Sequence, residues 1–171
     1  MNKMEEIQIA KVTLNIGTGG PGEPLDKAMK LLKNLTAMKP VETSSNKRIP
    51  TWGVRPGLKI GCKITLRNKK AEAILKRLFE AKGNHLESRN FDNNGNFSFG
   101  IGEYLDIPGA EYDPSVGIIG LEAAVTLERP GYRITRRRIK QGKLPHRSRI
   151  KKEEAMQFIS SKYSISVGEE K

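Results

Sequence analysis

Apolar residues along this chain recur with two different periods. In IQIAKVTLNIG (7–17) the spacing is two from Lys11 onward: Val12, Leu14 and Ile16 alternate with Lys11, Thr13 and Asn15, as in a half-buried strand. Ile7 and Ile9 have the opposite parity, so a bulge near Ala10 is expected. The period then lengthens. PLDKAMKLLKNLTAM (24–38) carries Leu25, Met29, Leu32 and Leu35 on one helical stripe, opens on Pro24 and stops before Pro40. PVETSS (40–45) reads as a weak polar strand, and NKRIPTWGVRPGL (46–58), with two prolines and two glycines, as a loop.

The same alternation of periods follows. KIGCKITLR (59–67) sets Ile60, Cys62, Ile64 and Leu66 against Lys59, Gly61, Lys63, Thr65 and Arg67. NKKAEAILKRLFEAKG (68–83) places Ala71, Ile74, Leu75, Leu78 and Phe79 on one helical face, with Asn68 as expected cap and Gly83 as expected stop. FDNNGNFSFGI (91–101) turns and then alternates Phe97, Phe99 and Ile101. VGIIGLEAAVTLE (116–128) predicts a long strand. After RPG (129–131), YRITRRRIK continues an alternation, and KEEAMQFISSKY (152–163) predicts a short helix with Ala155, Met156, Ile159 and Tyr163 on one side.

The order is β-α-β-β-α-β-β followed by an extension. Strands with one polar face imply an antiparallel sheet, and the two helical stripes must be buried on its other face. The expected fold is α+β of the split-βαβ type, like RNA-recognition and ferredoxin-like domains, with a basic C-terminal extension ending in a short helix. The expected division is a core over 1–128 and an extension over 129–171 packed on the same domain. In this arrangement the open face offers Lys11, Thr13, Asn15, Lys63, Thr65 and Arg67. Cations of this kind neutralise phosphates, and Thr and Asn hydrogen-bond sugar hydroxyls and base edges. These positions carry no aromatic for stacking unpaired bases, which suits folded RNA read by backbone and shape. The same alternation also describes an ordinary solvated sheet face.

Charge sharpens the picture. The chain is formally +12, and residues 129–152 hold eleven Lys or Arg and no acid. Such a concentration points to a polyanion. A membrane-surface helix would need a broad apolar face that this block, interrupted by Gly142 and Pro145, lacks. No apolar run approaches the ~20 residues of a membrane span, and MNKMEEIQIAKV has no signal-peptide core, so no membrane partner is expected. A single cysteine fits a reducing, cytoplasmic setting. In the block, Arg133, Arg136, Arg137, Arg138, Lys140, Lys143, Arg147 and Arg149 are the expected additional phosphate contacts. The competing description is a disordered solubilising tail. Around the chain's only Trp, Lys47, Arg48 and Arg55 could pair phosphates while Trp52 stacks on a base; alternatively Trp52 folds back onto the core.

Signals of catalysis are weak. GTGGPG (17–22) matches G-x-G-x-x-G with Glu42 twenty residues beyond Gly22. Pro21 and Pro24 delay the helix, however, and the neighbouring strands lack the continuous apolar runs of a doubly wound sheet. Cys62 has the parity of an inert core thiol. His85 and His146 stand apart, and Glu103, Asp106, Glu111 and Asp113 form an acidic loop without a base or metal set. No catalytic residue, metal or cofactor is expected.

KVTLNIGTG (11–19), LTAMKPV (35–41), the VRPG–IGCKITLR run (54–67), FDNNGNFSFGIGE (91–103) and EYD (111–113) together resemble the family of ribosomal large-subunit protein five, the universal 5S-rRNA binder. The resemblance covers residues 7 to 128. The stretch from GLEAAVTLERPGYRITRRR onward is similar to the archaeal and eukaryotic branch. It implies a non-enzymatic protein of the central protuberance that anchors 5S rRNA with its open sheet face, at Lys11, Asn15, Lys39, Lys63, Thr65 and Arg67. It implies that the loop bearing Lys47, Arg48, Trp52, Gly53 and Arg55 reaches the peptidyl-site tRNA. Large-subunit rRNA, neighbouring large-subunit proteins and a small-subunit head protein across the subunit interface are implied as further partners, the acidic loop 103–113 being the surface whose charge suits the last. Two residues depart from the family pattern: Met38, where bacterial members often have Gln, and Lys151, where eukaryotic members often have the natural cap Ser.

Overall fold

The alternating stretches become strands of one sheet because their apolar parities all point the same way. The structure, a computed structural model, describes residues 3–168. Strand β1 (Gln8–Gly17) buries Val12, Leu14 and Ile16 almost completely. Its register against a later strand shifts between Ile9 and Lys11, the expected bulge, which lets Ile9 pack on the core despite its opposite parity. Helix α1 (Glu23–Thr36) follows, then β2 (Val41–Ser44), β3 (Lys59–Leu66) and helix α2 (Asn68–Ala81). After β4 (His85–Glu87) come β5 (Phe97–Ile101), β6 (Leu121–Glu128), helix α3 (Lys152–Tyr163) and β7 (Ser166–Gly168).

The main sheet has the order β2-β3-β1-β6-β5, with every neighbouring pair antiparallel. Of the two strands flanking β1, β3 enters from the hairpin with β2 and leads into α2, while β6 enters from β5, which lies outside it; β1, β2, β3 and β6 with the two helices make the split-βαβ pattern. α1 packs on β3 and α2 on β1. One cluster joins Leu25, Leu32 and Leu35 of α1, Leu75, Leu78 and Phe79 of α2, and the inward side chains of β1, β3, β5 and β6. Each such fully buried aliphatic or aromatic side chain contributes about 1.5–3 kcal/mol. Cys62 lies in this cluster, where burial pushes its thiol up to about 11, so it stays protonated at neutral pH. Met38 also packs against the core, so its place is taken up by apolar contact.

The extension belongs to the same core. Ile150, Ala155, Ile159 and Ile165 are buried in the cluster. The Tyr163 ring meets Phe79 edge-on with centroids 5.2 Å apart, while Phe79 stacks on Phe99 at 5.6 Å. Arg129, only 15% exposed, pairs with Glu154 at 3.1 Å, and Tyr132 donates its hydroxyl hydrogen to the Ser148 carbonyl at 2.6 Å. Gly95 adopts φ +77 where Ile150 presses against it.

Several expectations need correction. The predicted strand over 116–128 begins only at Leu121: Gly117 has φ +76, and a Cβ on Gly120 would lie 2.7 Å from the Gly102 carbonyl oxygen, so the segment before it is a turn. The alternation in YRITRRRIK has no partner strand; Gly131 at φ +96 turns it into a 3-10 segment, Tyr132–Thr135. Asn68 does not cap α2. The cap position falls on Arg67, without a side-chain cap bond, and Asn68 itself has φ +54. Gly83, at φ +69, does stop that helix by donating to the Glu80 carbonyl. Lys151 lacks a capping oxygen, yet α3 starts firmly because Glu154 accepts the Lys151 backbone N–H at 3.1 Å. The parallel pair β4–β7 was not expected; three residues per strand are too few to show a period.

The acidic loop is pinned to the helices. Asp113 accepts from Lys30 at 2.7 Å and from the Ser115 hydroxyl at 2.6 Å, and its backbone N–H donates to the Tyr104 hydroxyl. Arg77 of α2 donates to the Pro108 carbonyl at 2.7 Å. Glu103, Asp106 and Glu111 are left facing solvent.

This packing makes three predictions. Gly95→Ala drives a Cβ to 2.6 Å from Ile150 Cγ2 at a left-handed backbone position; it should cost about 2 kcal/mol or more and lower the thermal midpoint by about 5 °C. Gly100→Ala, with open space above it, should change stability by no more than about 0.5 kcal/mol. The bonds from Lys30 and Ser115 hold the Asp113 carboxyl at about 2, below its ordinary 3.8. A depressed carboxyl stabilises above its unfolded value and loses that contribution as pH falls through its folded one. The Lys30–Asp113 pair should therefore persist down to about pH 4 and be lost between 4 and 2, while Arg77 and the buried Ile107 and Val116 keep the loop in place. A carbon-13 titration of the Asp113 carboxyl should show the low midpoint, and Lys30→Ala should return it toward the ordinary range.

Candidate nucleic-acid interface

The outward parity of the five strands assembles into rows. One row runs Val41, Lys63, Asn15, Glu122, Gly100 across β2, β3, β1, β6 and β5. The next runs Thr65, Thr13, Ala124, Ser98. Lys11 stands opposite Thr126 beyond it, and Arg67 closes the end of β3. Neighbouring strands are ~4.8 Å apart, so each row presents a new side chain at that spacing. All six face residues expected from the sequence are therefore on one surface, and none of the described helices covers it. Lys11, Lys63 and Arg67 have no ion pair among the described residues. Lys39 is exposed on the α1–β2 connection next to buried Pro40.

The face also holds residues that the sequence reasoning missed. Glu122, Glu128, Thr126 and Ser98 share the outward parity. Their alternation was visible in LEAAVTLE, but which strands they flank required the register. Glu122 puts a carboxylate within reach of Asn15, whose amide donates to it at 3.4 Å. The β3 side of the face is thus cationic and the β6 side anionic.

The loop between β2 and β3 is built as a small hairpin. Ile49 and Val54 exchange backbone bonds, Val54 is buried, and Gly53 at φ +64 closes the turn over a 3-10 segment, Pro50–Trp52. Ser45 ties the base by accepting from the Lys47 N–H and donating to the Lys47 carbonyl. Trp52 does not fold onto the core: it is 75% exposed at the tip, with Lys47, Arg48 and Arg55 exposed around it. An aromatic plane flanked by free cations can stack on a base while neighbouring phosphates are neutralised.

In the extension, Arg133, Arg137, Arg138, Lys140, Lys143, Arg147 and Arg149 are exposed and have no ion pair among the described residues. Arg137 is positioned by its Nε, which donates to the Lys140 carbonyl at 2.6 Å. Arg136 differs, since it is paired with Glu128 on β6. The block is a folded surface within which two cations, Arg129 and Arg136, are already paired with acids.

The glycine motif offers no phosphate cradle. The Thr18 and Gly19 N–H groups donate to the Ile60 carbonyl, and the first turn of α1 carries Glu23 and Asp26. Among the described residues no group of three or more His, Cys, Asp or Glu is arranged to hold a metal ion, and no helix is long and apolar enough to cross a membrane.

Comparison with known proteins supplies the family. The family model described as Ribosomal protein L5 matches residues 2–55, and that for the C-terminus of the same ribosomal family matches residues 59–158. The large ribosomal subunit protein uL5 of Nanoarchaeum equitans is 52% identical over 165 residues, spanning 96% of this chain and 97% of its own length. That of Sulfurisphaera tokodaii is 46% identical over 170 residues, 99% of this chain and 96% of its own. That of Methanosphaera stadtmanae is 42% identical over 167 residues, 98% and 99% respectively.

Proposed function

This chain belongs to the ribosomal protein L5 family, archaeal type, and is a structural, non-enzymatic constituent of the large ribosomal subunit; within it, we propose, the open sheet face binds 5S rRNA and helps hold it in the central protuberance. RNA binding and a place in translation come with the family. The finer reading is carried by one observation. Among the described residues the helices pack away from the face formed by Lys11, Thr13, Asn15, Lys63, Thr65 and Arg67, which leaves its amide and hydroxyl groups exposed beside the cations of β1 and β3.

The other surfaces take complementary roles. The hairpin with Trp52 at its tip contacts the peptidyl-site tRNA, its cations Lys47, Arg48 and Arg55 meeting phosphates. Its internal bonds support a tip ordered before tRNA arrives. The exposed cations of the extension neutralise neighbouring rRNA phosphates, adding a salt-dependent term with little sequence information. Lys39 extends the cationic rim of the sheet. The acidic loop, held to α1 by Lys30, faces a basic small-subunit head protein across the subunit interface, and neighbouring large-subunit proteins cover further surface.

Two measurements test this division. Binding to 5S rRNA, to a tRNA and to a scrambled RNA of equal length should be compared at several salt concentrations. The native chain should prefer 5S rRNA at high salt. The Asn15→Ala/Thr65→Ala double variant should lose about tenfold or more of that preference, as expected for two hydrogen bonds of ~1 kcal/mol each. Equal binding of all three RNAs that vanishes with salt would leave the charge block as the only binding element. Separately, Arg137→Ala/Arg138→Ala should flatten the log–log salt dependence by roughly 1.5 while keeping the 5S preference. Arg136→Ala should flatten it less, because Glu128 already neutralises that side chain.

A further inference from the structure

The carboxylate of Glu122 stands where a phosphate-binding face should not have one. Its row places it beside Asn15, with Lys63 on the far side of Asn15 and Gly100 on its own far side. The Asn15–Glu122 contact, at 3.4 Å, is at the long limit of a hydrogen bond, so both side chains keep their bonding capacity for a ligand. Beside them lies a shallow depression lined by Asn15, Gly17, Gly100, Gly102, Gly120 and Glu122. A Cβ built on Gly17, Gly100 or Gly102 would meet nothing within 4 Å, so the floor is bare backbone open to an incoming group. A carboxylate only accepts hydrogen bonds, and it repels phosphate. The Asn amide both donates and accepts. The pair is thus built for a neutral surface rich in N–H donors, flanked by cations on the β3 side that hold the backbone.

We infer that Asn15 and Glu122, over this glycine floor, form a base-reading subsite for one nucleotide of the bound RNA whose exposed edge presents two adjacent N–H donors, as the N1–H and N2–H₂ of an unpaired guanine do. The inference rests on the sheet face being the RNA-binding surface. Carboxylates read donor edges of bases in this way, and single-stranded loops are where RNA exposes its Watson–Crick edges. The depression admits the base edge-on because no side chain rises from Gly17 or Gly100. Glu122 acts here as a specificity-determining residue: it rewards the correct edge and penalises a misplaced phosphate.

The test uses the full chain, with 5S rRNA, a tRNA and a scrambled RNA at two salt concentrations. Glu122→Gln keeps the size and removes the charge, and exposes a donor where an acceptor stood. It should weaken 5S rRNA binding by about tenfold, the value of one good bidentate contact, while the other two RNAs bind equally or more tightly. Gly100→Val, which fills the floor without altering charge, should weaken 5S rRNA binding selectively as well. Tighter binding of all three RNAs by the same factor in Glu122→Gln would show that the carboxylate is only a repulsive charge and would overturn the subsite. Unchanged 5S binding in Gly100→Val would overturn it too. A native chain with no 5S preference would instead remove the sheet-face reading on which the subsite depends, so the two failures are distinguishable.

Discussion

One-sided burial of the sheet is the constraint from which the rest of this structure follows. β1 sits in the middle of five strands and has a partner on each side, so its inward residues Val12, Leu14 and Ile16 are sealed beneath both helices. Because strand side chains alternate, sealing one parity necessarily exposes the other. The outward residues of β1 are then surrounded by those of β3 and β6 at fixed register. A one-residue slip would reverse both faces at once, which burial of the cluster makes prohibitively costly. The geometry of the interface is therefore a by-product of core formation, held with the stability of the core itself.

The extension shows how a highly charged segment is made to hold a shape. Eleven cations without an acid would repel one another as a free tail. Here the acids that steady them come from elsewhere: Glu128 of β6 pairs with Arg136 and Glu154 of α3 pairs with Arg129. Apolar anchors complete the work, since Ile150 lies against Gly95, and α3 joins the aromatic stack of Phe79, Phe97 and Phe99 through Tyr163. The remaining cations are displayed on a folded surface. In the RNA-binding role proposed for it, a surface already folded keeps the entropy lost on binding small.

The surfaces of this molecule differ in chemical character. The sheet face mixes cations, amide, hydroxyls and a carboxylate, and so has the chemical variety that discrimination needs. Residues 129–152 carry positive charge alone, the composition that attracts a polyanion without selecting among sequences. The Trp52 hairpin offers a stacking plane at the end of a short rigid arm. The acidic loop exposes Glu103, Asp106 and Glu111, and the Asp113–Lys30 pair ties it to α1.

Much of this was legible in the residues alone. The two periods, two and about three and a half, identified the four longer strands and the three helices because a buried face imposes them locally. The bulge at Ala10 was visible as a change of parity, and the open-face residues Lys11, Thr13, Asn15, Lys63, Thr65 and Arg67 were the complement of the apolar ones. What only the tertiary structure decided were the properties that depend on neighbours distant in sequence. Glu122 is unremarkable in LEAAVTLE until register places it against Asn15, 107 residues away. Trp52 could stack or bury until Val54 took the buried position. Tyr132 to Thr135 had the alternation of a strand but no strand to pair with, and β4 and β7 had a partner but no detectable period. Local pattern records which face of an element is dry; which groups meet across the other face is set by pairing at long range, and no local period encodes that.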